Sequence, residues 1–265
     1  MSAWMVSSPC TAACAGHRLP PVAAVVRARR YAAVARALTR GLATGRRLAR
    51  GEVLRAHAGA MIRALGLELE ASTSAFSRPY DPDGPGSLIV SDHISWLDAI
   101  ALFAVEPATA LAKREVAQWP LFGALAARAG VQFIDRDRLR GLPGAVAQVA
   151  ATLRSGRSVV VFPQGTTWCT ESGSGFRRAM FQAAIDSGAP VLPVTVSYRQ
   201  RGLPSTVAAF LGEDTFPSSL HRVISARDLA VRVTAHPALR PLPDRRALAA
   251  LAQATIRGTE TPAHL

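Results

Sequence analysis

Ser91-Asp92-His93-Ile94-Ser95-Trp96-Leu97-Asp98 separates two apolar runs, Leu88-Ile89-Val90 before it and Ala99 to Phe103 after it. A histidine followed five residues later by an acid can move protons, provided the backbone lets the two side chains meet. On one regular helix a five-residue step turns through about 140°, and the two would face apart. The segment reads instead as strand, tight turn and helix, with His93 just before the helix and Asp98 about one turn inside it. From there the Asp98 carboxylate can accept the Nδ1 proton of His93, which fixes the tautomer and leaves Nε2 as a base. A solvated histidine near a helix start has the same spacing, so the rest of the chain must give the pair its meaning.

Three further segments carry chemical groups, each at the end of an expected strand, where open α/β sheets collect their ligand-binding residues. Gly130-Val131-Gln132-Phe133-Ile134-Asp135-Arg136-Asp137-Arg138 ends in two arginines that suit a phosphate, or equally a local Asp/Arg ladder. Val159-Val160-Val161-Phe162-Pro163-Gln164-Gly165-Thr166-Thr167 runs a buried strand into a turn where Gly165 lets a ligand approach backbone amides, although such a turn can also merely reverse the chain. Downstream, Ser172-Gly173-Ser174-Gly175 reads as a flexible loop that opens onto Phe176-Arg177-Arg178, cations at a helix N-terminus that suit an anion. Ala189-Pro190-Val191-Leu192-Pro193-Val194 starts an apolar strand.

The elements that must position these residues follow from periodicity. Strands are expected at Leu67 to Leu69, Ser87 to Val90, Ala108 to Ala112, Val131 to Ile134, Ser158 to Phe162, Val191 to Tyr198 and Val231 to Thr234. Helices are expected at Trp96 to Val105, Leu121 to Ala129, Leu139 to Ser155, Phe176 to Ser187 and Arg245 to Arg257, several of them closed by glycine. Strands alternating with helices give an α/β domain over 67–265, a largely parallel central sheet flanked by helices, with its chemical blocks between 87 and 198. The proline-rich stretch Phe76 to Gly86 is a loop, expected to mark the boundary between an N-terminal extension and the catalytic part. Residues 1–21 read as a loose tail.

Residues 22–66 form a basic helical extension. Arg29, Arg36, Arg40 and Arg47 fall on one stripe of a helix, and Tyr31, Val34, Leu38 and Leu42 on the opposite side. Glu52 is the only acid from Val22 to Leu65, and the whole chain carries a formal charge of +13, which calls for an anionic partner. The extension is therefore expected to lie on an anionic membrane surface, or else to pack its apolar face on the main domain with the basic face solvated. No run reaches the ~20 apolar residues of a membrane span, and no secretory signal opens the chain, so attachment is expected to be peripheral, at the cytoplasmic face. Three cysteines, Cys10, Cys14 and Cys169, make neither a disulfide framework nor a zinc site, which points to a reducing compartment and no metal. Basic residues are not interleaved with aromatics in the way single-stranded nucleic acid requires, so nucleic acid is not the expected partner.

Taken in order, the blocks resemble the glycerolipid acyltransferase family typified by bacterial 1-acyl-glycerol-3-phosphate acyltransferases. His93 and Asp98 match its His-four-residues-Asp motif, and Ser95 a serine common within it. Gly130 to Arg136 is similar to its Gly-x-x-Phe-Ile-Asp-Arg block, Phe162 to Thr166 to its Phe-Pro-Glu-Gly-Thr block, and Val191 to Val194 to its final Val-Pro-Val-type block. Lys113-Arg114-Glu115 and Trp119 to Gly123 also look like that family. Two positions depart from its pattern: Asp92 stands where Asn is frequent and Gln164 where Glu is the rule. The resemblance covers roughly Ser87 to Tyr198.

The resemblance implies that His93, oriented by Asp98, deprotonates the hydroxyl of a lyso-phospholipid, foremost 1-acyl-glycerol-3-phosphate. That oxygen attacks the thioester of acyl-CoA or acyl-carrier protein directly, with no cofactor and no acyl-enzyme. Arg136, Gly165 and Thr166 are then expected to hold the acceptor phosphate, with Gln164 shaping that pocket, and Lys113, Arg177 and Arg178 to contact the oxyanion or the acyl donor. The rival readings are a hydrolase using Cys169 or Ser95 as nucleophile beside His93, and a lipid-binding protein without catalysis. No Gly-x-Ser-x-Gly elbow follows a strand, which argues against a serine hydrolase.

Overall fold

The computed structural model describes residues 7–17, 19–72, 84–119, 121–134, 139–169 and 173–258. Arg136, Arg138, Ser172 and residues 76–83 of the expected boundary loop lie outside the described residues. The chain begins with a 3₁₀ turn at Ala12–Cys14 and continues as α1 (Ala24–Thr44), α2 (Gly51–Leu65), β1 (Glu68–Ala71), β2 (Leu88–Ser91), α3 (Leu97–Val105) and β3 (Ala108–Lys113). It proceeds through α4 (Phe122–Arg128), β4 (Gln132–Ile134), α5 (Leu142–Arg154), β5 (Ser158–Val161), α6 (Ala179–Ser187), β6 (Val191–Gln200) and β7 (Leu203–Pro204). It ends with α7 (Phe216–Ser225), β8 (Leu229–Ala235) and α8 (Arg245–Arg257).

The strands of the described residues form one sheet in the order β1-β8-β6-β2-β5-β3-β4, with β7 paired to β6. All pairs are parallel except β6 with β8 and β6 with β7. Every residue of β2 has 0% exposure, because the strand is covered on both faces. Its side chains alternate: Ile89 joins the cluster formed with α1, α2, α3 and α7, whereas Leu88 and Val90 join the cluster formed with α5, α6 and α8. β5 divides in the same way, Val160 to one side and Val159 and Val161 to the other. Double coverage is why both strands are continuous apolar runs rather than alternating ones.

The basic segment differs from the single amphipathic helix expected. It is two helices, broken where Gly45 takes φ +60 and a 3₁₀ turn follows at Gly45–Ala49, so Arg47 leaves the stripe. Val34, Ala37, Leu38 and Gly41 of α1 are buried, at the spacing of one helix face, and α1 packs on α2, α4 and α7. The apolar side of α1 is thus occupied by protein, and its exposed side carries Arg29, Arg36 and Arg40. Gly41 is required by the closeness of that packing: a Cβ there would stand 2.5 Å from Leu125 and 2.7 Å from the His57 ring. Arg30 is spent inside the structure, its guanidinium donating to the carbonyls of Ile224, Ala226 and Gly66 at the ends of α7 and α2.

Helix α7 is missing from the sequence reading, although Thr215 accepts from the Ser218 amide as its N-cap and Pro217 sits in its first turn. Those two residues are the signal that could have revealed it.

Candidate active site

β2, β5 and β3 run parallel in adjacent positions, paired Val90 with Val161 and Ala110 with Val160, so their C-terminal ends open on the same edge of the sheet. The residues just beyond those ends must meet there. His93, two residues after β2, stacks on Phe162, one residue after β5, with ring centroids 4.0 Å apart and planes at 14°. The sequence offered no reason to single out Phe162 for this contact.

The turn between β2 and α3 is built around Asp98. Its Oδ2 accepts from the His93 ring Nδ1 at 2.9 Å and from the backbone amides of Ile94 and Ser95 at 2.8 and 2.9 Å. Oδ1 accepts from the Tyr198 hydroxyl at 2.6 Å. The carboxylate is fully buried and lies in the first turn of α3, where the positive end of the helix dipole favours a negative charge. His93 keeps 21% of its side chain exposed. Because Asp98 has no proton to give in its ionised form, Nδ1 is the protonated ring nitrogen and Nε2 is left with its lone pair.

The peptide of His93 is held from the β5 side. Its N–H donates to Gln164 Oε1 at 3.0 Å, and its carbonyl accepts from the Trp168 amide at 2.8 Å. Gly165, at φ +78, closes that loop by donating to the Phe162 carbonyl, a backbone geometry that only glycine adopts without strain. Gln164 has 0% exposure, lies behind the His93 turn and does not line the cavity onto which His93 opens.

His93 opens onto a cavity of about 520 Å³. Gly165, Thr166 and Lys113 share its wall with His93, and its depth is apolar, with Leu54, Met61 and Phe103 from α2 and α3. Trp96, Trp119 and Phe122 of the cavity wall pack ring on ring with Phe216, and Trp96 donates through Nε1 to Ser219 of α7. Ser7 and Ser8 of the N-terminal segment also line the cavity, and Cys10 and Cys14 pack on the core. The structure therefore brings His93, Asp98, Lys113, Gly165 and Thr166 to one place. Arg177 and Arg178 are exposed and do not line the cavity. The Gly173–Gly175 loop before them is pinned by α8, through Gln253 to Phe176 and Ser174 and through Arg257 to Gly173, rather than flexible.

Neither alternative nucleophile is placed to act. Ser95 has 0% exposure and its Oγ accepts from the Leu97 amide. Burial, Cys10 and Cys14 push the Cys169 thiol up to about 12, so it is not a thiolate at neutral pH, and it lies outside the cavity wall. Among the described residues no cluster of His, Cys, Asp and Glu could hold a metal ion.

A carboxylate-oriented histidine thus stands at the strand ends of a mainly parallel α/β sheet, beside a largely apolar cavity. The acyltransferase family model matches residues 74–197. The lyso-ornithine lipid O-acyltransferase of Pseudomonas aeruginosa is 36% identical over 208 residues, 75% of this chain and 76% of that protein. The 1-acyl-sn-glycerol-3-phosphate acyltransferase of Neisseria meningitidis is 35% identical over 176 residues, 65% of this chain and 66% of that protein. The fold is similar to that of the 1-acyl-sn-glycerophosphate acyltransferase PlsC from Thermotoga maritima, with a TM-score of 0.59 at 19% identity over 88% of this chain and 93% of that one. The chain belongs to the acyltransferase family.

Proposed function

We propose that the protein transfers a fatty acyl group from acyl-CoA or acyl-carrier protein to the free hydroxyl of a lyso-phospholipid, with 1-acyl-glycerol-3-phosphate the first candidate acceptor and phosphatidate its product. The observation that carries this reading is the Asp98-oriented His93 on the wall of the apolar cavity. In the reaction, His93 Nε2 takes the proton of the acceptor hydroxyl as its oxygen attacks the thioester carbonyl carbon. Asp98 stabilises the imidazolium that forms, and the collapsing intermediate expels the thiolate, which takes up that proton from His93 and leaves as the thiol. The cavity accommodates the acyl chain: its volume falls within the ~300–1,000 Å³ typical of small-molecule sites, and its depth is apolar. Lys113 supplies a cation on the same wall for the developing oxyanion or an anionic head group. Arg136, Gly165 and Thr166 hold the acceptor.

A second acceptor is favoured by a specific observation. A lyso-ornithine lipid O-acyltransferase is among the relatives matched over the most sequence. The membrane partner is an anionic surface met by the exposed Arg29, Arg36 and Arg40. The decisive experiment incubates purified protein with acyl-CoA or acyl-carrier protein as donor and, separately, lysophosphatidate, lyso-ornithine lipid and other lyso-lipids, with mass spectrometry of the products. Acylation of lysophosphatidate well above the rest supports the first acceptor, and absence of acylation for every lipid with either thioester donor refutes the function.

A further inference from the structure

Tyr198 has no counterpart in the chemistry read from the sequence, yet its hydroxyl is the fourth donor to Asp98. It sits on β6, which is parallel to β2 up to the pair Ser91 with Val194 and then runs on past the end of β2, beneath α3. Leu192, Val194, Val196 and Tyr198 alternate onto one face and join the apolar cluster that contains Ala101 and Leu102 of α3. A phenylalanine would satisfy that cluster. A hydroxyl buried there carries a desolvation cost unless it is bonded, and the Asp98 carboxylate is its acceptor.

We propose that Tyr198 is a positioning residue, whose hydroxyl fixes the rotation of the Asp98 carboxylate and limits how tightly that carboxylate binds the ring proton of His93. With Oδ2 taken by His93, Ile94 and Ser95, Oδ1 is the only oxygen through which the carboxylate plane can be locked. Burial first, then the Asp98 charge, raises the phenol well above its ordinary range, so Tyr198 is protonated and donates at neutral pH. Besides His93, the nearby ionisable groups are Asp92, next to it in the turn, and Lys113 and Glu213, which line the cavity that His93 also lines. The hydrogen bond to Oδ1 comes from the Tyr198 hydroxyl.

The inference rests on the reading of His93 as the general base, and its test separates the two. In Tyr198→Phe, Oδ1 loses its donor, the carboxylate holds the imidazolium proton more tightly, and the acid limb of kcat/KM moves up by about half to one pH unit. The turnover number falls about three- to tenfold while KM changes by less than about twofold, because the substrate contacts are untouched. Site-specific 3-fluorotyrosine, a stronger donor of nearly the same shape, moves the limb the opposite way. Thermal melts by circular dichroism identify any variant that has lost its fold, and the fluorotyrosine protein keeps the test available if Tyr198→Phe is one. In parallel, NMR follows the His93 ring across the same pH range without reference to catalysis. Opposite displacements of the ring titration in the two variants support the inference, and coincident titrations in all three proteins overturn it. If the ring titration moves and the acid limb of acyl transfer stays, Tyr198 does position the pair and it is the general-base reading that fails.

Discussion

Asp98→Asn tests the geometry of the turn more sharply than removal of His93. An asparagine has one acceptor oxygen, and the site dictates where it goes: the Oδ2 position receives three donors, from His93, Ile94 and Ser95, and an NH₂ group there would face all three. The amide oxygen must therefore occupy it, with the NH₂ turned towards Tyr198, whose oxygen can accept. The tautomer of His93 is then kept and only the charge is lost. Opposite charges about 4 Å apart attract by about 4 kcal/mol at an effective dielectric near 20. A neutral acceptor retains about half of a charge-assisted hydrogen bond. About 2 kcal/mol of transition-state stabilisation disappears, or about thirtyfold in kcat at ~1.4 kcal/mol per decade. Asp98→Ala differs, because it also strips the acceptor from two buried backbone amides at about 1–3 kcal/mol each, and its activity should fall to the level of His93→Ala, about 10²–10⁴ below the native enzyme. The assay is initial-rate acyl transfer at saturating acyl-CoA, with melting temperatures measured alongside. An Asp98→Asn protein within about twofold of native activity, or one as inactive as a folded Asp98→Ala, would refute the argument.

Cys169→Ala should retain most activity, since the thiol is held un-ionised at neutral pH, with a pKa pushed up to about 12, and lies off the cavity; an inactive but folded variant would restore the thiol-nucleophile reading. Gln164→Leu should lower the melting temperature and the rate, because the buried His93 N–H loses its acceptor at a cost of about 1–3 kcal/mol, whereas Gln164→Glu keeps an oxygen there and should leave acceptor ratios unchanged; paired kcat/KM values across lyso-lipids decide between rate and selectivity. Replacing Arg29, Arg36 and Arg40 with alanine should weaken vesicle flotation at low salt by about 1 kcal/mol per arginine, with native melting, and equal flotation would remove α1 from the membrane contact. Burial lowers the histidines His57 and His236 below their ordinary 6.5, so as pH falls below that value the unfolded chain takes up protons that the folded one resists and stability is lost. His57→Gln should flatten the fall in melting temperature below pH 6.5, and an unchanged slope would show that His57 does not contribute.

The sequence by itself determined every strand of the described residues but the two-residue β7, and most of the helices, because β2 and β5 are apolar runs bounded by turn residues and α8 is periodic between Asp244 and Gly258. It also determined the His93–Asp98 pairing, since a turn followed by a helix start leaves few ways for a carboxylate five residues on to avoid the ring. These are local relations, and local sequence carries them. What lies between distant segments was not legible. Tyr198 reaches Asp98 across a separation of 100 residues only because β6 overruns β2 beneath α3. Gln164, spaced like an acceptor-site residue, turns under the His93 peptide because two neighbouring parallel strands end at the same level. The arginines of α1 look alike in sequence, yet Arg30 is consumed by helix-end carbonyls while Arg29, Arg36 and Arg40 face outward. Periodicity specifies which face of an element is apolar, but the partner that covers this face is fixed by strand order and packing, and the pairing of charges and buried hydroxyls follows from that choice alone.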